Sequence, residues 1–73
     1  MAKQYHTLTM YSNEWEDHDT LEDAVDWEEQ YQDMGGEETM LILASENGIV
    51  TEAYDPYDNT PYPDYVGKSV DDL

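Results

Sequence analysis

Between Thr39 and Tyr54 the chain reads TMLILASENGIVTEAY, two apolar runs joined by Asn47-Gly48. An Asn-Gly pair between β-forming runs predicts a hairpin with a type I′ turn. Both central residues of that turn need positive φ, which asparagine and glycine tolerate. An uninterrupted ladder sets Leu43 opposite Glu52, Ile42 opposite Ala53 and Leu41 opposite Tyr54. Met40, Ile42, Ala44, Ile49 and Ala53 then share one face, and Leu41, Leu43, Val50 and Tyr54 the other. Either face is apolar enough to meet a covering layer.

Upstream, Gln4 to Ser12 alternates in the manner of a half-buried strand, with His6, Leu8 and Met10 on one side and Tyr5, Thr7, Thr9 and Tyr11 on the other. Asn13 to Asp19 reads as an acidic connector. A helix is expected from Thr20 to about Met34, capped by Asp19 with Glu22 three residues on, and stopped by Gly35-Gly36. At 100° per residue Leu21, Ala24, Val25, Trp27, Tyr31 and Met34 fall within about half the circumference, with Glu28 the one acid among them. Trp27 is expected in the core.

The expected fold is therefore α+β, one helix on a three-stranded, mainly antiparallel sheet in the order β-α-β-β, over residues 1–54. The first strand beside the last makes the sheet wholly antiparallel. Beside the middle one it makes a parallel pair with a right-handed crossover. Residues 55–73 hold three prolines, three tyrosines and no apolar period, and are expected to form a flexible, disordered tail.

A length of 73 residues allows one domain. Nineteen acids against two bases give a net charge of −17. That charge argues against direct binding to nucleic acid or an anionic membrane, which carry the same sign. A chain this short buries only about 60% of its unfolded surface, so a deep substrate cleft is not expected. Without cysteine there are no disulfides and no thiolate metal sites, which suits a reducing interior such as a cytoplasm. No signal peptide is read at the N-terminus. The longest apolar run, Met40 to Ala44, has five residues, against about 20 for a membrane span.

Few motifs carry chemistry. Gly67-Lys68-Ser69 matches the end of a phosphate-binding loop, but Tyr62 stands where the motif needs glycine. Asp17, Asp19 and Glu28 fall at calcium-loop spacing, with Glu22 in place of the glycine that the sharp turn requires. His6 and His18 are the two imidazoles, and nothing pairs them as ligands. No nucleophile–base–orienter trio emerges, so no enzyme, catalytic residue, metal or cofactor is expected.

What remains is the distribution of acid. Glu14 to Glu38 holds twelve acids in 25 residues and no lysine or arginine. Solvated helix faces ordinarily mix signs, because Glu–Lys pairs four apart stabilise a helix by about 0.2–0.5 kcal/mol. Here Glu22–Asp26 and Glu29–Asp33 repel instead, and Asp33 sits at the negative end of the helix dipole. Local rules broken together in one direction point to a basic partner. The expected partner-binding residues are Glu14, Glu16, Asp17, Glu22, Asp26, Glu29 and Asp33, with Trp15 as an exposed anchor or, equally, a staple folded under the helix. The helical acids repeat every 5 to 6 Å or so, broadly as phosphates do along DNA.

In size, acidity, lack of cysteine and helix-on-sheet build, the chain resembles small phage-encoded host-takeover proteins. These include DNA mimics that block restriction or CRISPR nucleases, the phage inhibitor of uracil-DNA glycosylase, and short regulators of host RNA polymerase. Where that glycosylase inhibitor carries a Glu-Ser-Ile type strand edge, this chain reads Tyr11-Ser12-Asn13-Glu14, so no site residue is carried over. The resemblance implies a regulator that docks on a basic surface of host RNA polymerase and blocks it. The alternatives are a DNA mimic aimed at a restriction, CRISPR or repair enzyme, and a cation-binding acidic module.

Overall fold

The computed structural model describes residues 3–36 and 38–73. It is α+β, with one helix and one antiparallel sheet. The strands are β1 (Gln4–Thr9), β2 (Glu14–His18), β3 (Met40–Glu46), β4 (Ile49–Asp55) and β5 (Thr60–Pro61); the helix α1 (Leu21–Asp33) lies between β2 and β3. The sheet order is β2-β1-β3-β4-β5, five strands where three were expected.

The first added strand is the acidic connector. Glu14 to His18 turns back on β1 with Leu8 opposite Trp15 and Tyr5 opposite His18. Acids are poor strand formers, so the segment carries no local signal; pairing with β1 selects it. Its position decides the topology. β2 reverses the chain before the helix begins, so β1 lies beside β3 and the two are nonetheless antiparallel. A sheet edge lined with carboxylates also resists edge-to-edge association.

Asn47 and Gly48 take φ of 55° and 80°, as the type I′ turn requires. The ladder beyond them slips at Ala44/Ser45: Ser45 pairs with Val50, but Ala44 pairs with Glu52, leaving Thr51 as a bulge. One extra residue moves every later side chain to the other face. Ala53 therefore joins Leu41, Leu43 and Val50, and Tyr54 joins Ile42, which corrects the pairing expected from an unbroken ladder.

Both faces of β3 are covered, and for that reason Met40 to Ser45 are buried without alternation. On one face sit Leu8, Leu41, Leu43, Val50 and Ala53, closed over by Trp15, Tyr62, Tyr65, Val70 and Leu73. Residues 55–73 thus differ from the expected disordered tail. They form β5 and two short 3-10 helices, Pro63–Tyr65 and Val70–Asp72. Tyr62 N–H donates to Ala53 O at 2.9 Å, Gly67 N–H to Val50 O at 2.8 Å and Val70 N–H to Gly48 O at 2.9 Å. A segment that packs isolated side chains from irregular backbone has no period to detect.

The helix covers the other face. Thr20 caps it, accepting from Asp23 N–H at 3.1 Å, one residue later than the expected Asp19. Its end is a Schellman turn: Gly36 N–H donates to Tyr31 O and Gly35 N–H to Gln32 O, both at 3.0 Å, with Gly35 at φ 82°. Ala24 and Glu28 are the buried helix residues, while Leu21, Trp27 and Met34 are 41, 42 and 84% exposed. Trp27 is thus not a core residue, contrary to expectation, and Met34 is open to solvent. The floor beneath the C-terminal half of the helix is Thr7 and Thr9, too short to fill the space below them.

Candidate docking surface

The eight residues expected to meet a partner divide into three groups. Glu22, Asp26, Glu29 and Asp33 stand on the solvent side of α1, all exposed. Glu14 and Glu16, on β2, point to the helix side of the sheet and rim a groove there. Trp15 and Asp17 point to the opposite face, so these three groups do not form one surface.

Trp15 is neither the free anchor nor a staple under the helix. Its indole stacks on His6, with centroids 4.6 Å apart, and packs on the face that the helix does not touch. Its Nε1–H donates to Asp17 Oδ1 at 2.7 Å. The His6 and Trp15 hydrogen bonds hold the Asp17 carboxyl below its ordinary range, although burial opposes them.

His6 also joins a trio that sequence reading did not assemble. Its Nδ1 lies 2.8 Å from Asp17 Oδ1 and its Nε2 2.7 Å from Ser45 Oγ. With the proton on Nδ1, His6 donates to Asp17 and accepts from the Ser45 hydroxyl. This is the bonding order of a hydroxyl nucleophile, its base and an orienting acid. Yet Ser45 is 1% and His6 2% exposed, so a substrate carbonyl has no path to Oγ. The geometry pins β1, β2 and β3 together through a satisfied buried polar network.

The acids on α1 are uncompensated. Among the described residues the lysine ion pair is Lys3–Glu52 at 3.4 Å, and neither it nor the His6–Asp17 hydrogen bond involves a helix carboxylate. The other lysine, Lys68, lies 6.0 Å from the centre of the Tyr65 ring. No basic residue stands in the last turn of the helix. One helical acid faces inward: Glu28 is 8% exposed. Burial pushes its carboxyl above the ordinary range, a Gln32 hydrogen bond opposes this, and Glu29 and Asp55 add to it.

The groove was not legible in the sequence. It holds about 150 Å³ between the C-terminal half of α1 and β1–β2, walled by Trp27, Tyr31 and Met34, with Met40 and Thr9 below. The available signal was an apolar helical stripe facing a strand whose inward residues are threonines. Among the described residues no three His, Asp or Glu side chains converge as metal ligands. Among the described residues no helix is long and apolar enough to cross a membrane. No family model, curated protein sequence or solved structure matches the chain.

Proposed function

We propose that the chain is a non-catalytic acidic binding protein, a phage regulator that docks on a basic surface of host RNA polymerase and blocks it. The supporting observation is the exposed row Glu22, Asp26, Glu29 and Asp33, with both lysines of the chain placed elsewhere. A folded chain that keeps such a row without internal counter-charge is stabilised when a basic surface supplies it. Glu14 and Glu16 extend the field along the neighbouring strand edge. Inhibition is steric and electrostatic: the bound protein occupies positions needed by nucleic acid or by a basic-patch partner. Attraction of this kind speeds association at low salt and is screened at high salt.

The test is binding to purified bacterial RNA polymerase across a salt series. Affinity is expected to fall steeply as ionic strength rises from about 0.05 to 0.5 M, over which screening shortens several-fold. Salt-independent binding, or none at low salt, overturns the reading. The phosphate-like spacing of the helical row favours a second reading, a DNA mimic aimed at a restriction, CRISPR or repair nuclease. Duplex DNA competes with a mimic at the same site, whereas a regulator seated on a surface remote from DNA is not displaced.

A further inference from the structure

We propose that the groove between α1 and the β1–β2 hairpin seats one aromatic or branched aliphatic side chain of a partner segment, flanked there by Lys or Arg. This rests on the acidic-docking reading and adds the place where specificity resides. The groove is preformed. Gly36 leaves room for the Tyr31 ring, which a Cβ at that position would strike, so the ring is held as a wall. The same helix wall carries Trp27, 42% exposed, and Met34, 84% exposed, two large apolar side chains that the fold leaves uncovered.

The floor asks for no polar group. Thr7 Oγ1 bonds His18 Nε2 at 3.1 Å, and Thr9 Oγ1 bonds Ser12 Oγ at 2.9 Å while accepting from Glu14 N–H at 3.0 Å. Both hydroxyls are committed, and their methyl groups and Met40 remain as lining. An apolar space of about 150 Å³ is of the size that accepts a benzene-sized group. Glu14 and Glu16 stand on the rim, and the helical acids lie beyond the far wall. Charge complementarity therefore selects cationic neighbours for the inserted side chain, and argues against a second copy of a chain carrying −17.

Two capped pentapeptides, KKFKK and KKAKK, provide the probe, titrated into the full chain at fixed low salt and followed by tryptophan fluorescence and by amide and Trp27 indole chemical shifts. The expected result is binding of the phenylalanine peptide about tenfold tighter than the alanine one, with the largest shifts at Thr9, Trp27, Tyr31 and Met34. M34E, at an exposed position, keeps the attraction for lysine but removes an apolar wall, so the ratio should fall toward one. Equal, salt-sensitive binding of both peptides to the unmodified chain overturns the groove and leaves the acidic-docking reading standing. Failure of both peptides to bind at low salt overturns both readings. Concentration-dependent shifts at the same residues without peptide show a second copy in the groove, which also overturns the proposal.

Discussion

Replacing Asp26 and Asp33 by lysine is expected to strengthen the fold while abolishing binding. Each residue now repels its neighbours: Asp26 faces Glu22 four residues before it, Asp23 three before and Glu29 three after, and Asp33 faces Glu29. A like-charged pair at this spacing costs about 0.2–0.5 kcal/mol and an opposite pair returns a similar amount. Four pairs changing sign therefore yield about 1.5–4 kcal/mol. Reversal at Asp33, beside the negative end of the helix, adds some tenths more. Both side chains are exposed. A gain of about 2 kcal/mol in a chain this small raises Tm by about 10 °C. Urea and thermal melts followed by circular dichroism read the gain. Repeating them at about 0.5 M salt should shrink it, because exposed charges are then screened within a few ångströms. The same variant should lose its polymerase binding at low salt. A double variant no sturdier than the parent at low salt, or one that binds as well, would refute the view that repulsion is tolerated for the sake of a basic partner.

Glu28→Gln is expected to stabilise the protein at neutral pH, because a buried carboxylate is ionised there at a cost. The folded carboxyl titrates above its unfolded value, so its favourable contribution is present at low pH and lost as pH rises through the folded value. Melts of parent and variant should therefore converge as the solution is acidified. Asp17 acts in the opposite sense: its folded carboxyl titrates below the ordinary range, so its stabilisation holds at neutral pH and fades as pH falls through the lowered value. Asp17→Asn, which weakens acceptance from His6 and Trp15, should cost about 1 kcal/mol in neutral-pH melts, near the low end because the carboxylate is 77% exposed. Removal of residues 55–73 strips Tyr62, Tyr65, Val70 and Leu73 from the core. The remainder should lose its cooperative melt and bind a hydrophobic dye, and an unchanged melt would count against the packed segment.

Elements with local causes were legible in the chain alone. Asn47-Gly48 dictates its own turn, Gly35-Gly36 ends the helix whatever lies around it, and nineteen acids cannot be neutralised by two lysines wherever they fall. The solvent-side row on α1 followed from the period of the helix. Tertiary structure decided the rest, through pairings between segments that carry no signal of their own. Glu14 to His18 is a strand because β1 offers it a partner, and that single reversal changes the direction of the β1–β3 pair. A bulge at Thr51 moved Ala53 across the sheet. Asp17 and Ser45 lie 11 and 39 residues from His6 in sequence, and the three meet across three strands. The groove exists because the helix stripe is apolar and the threonines below it are short, a mismatch between two surfaces that no window of sequence contains.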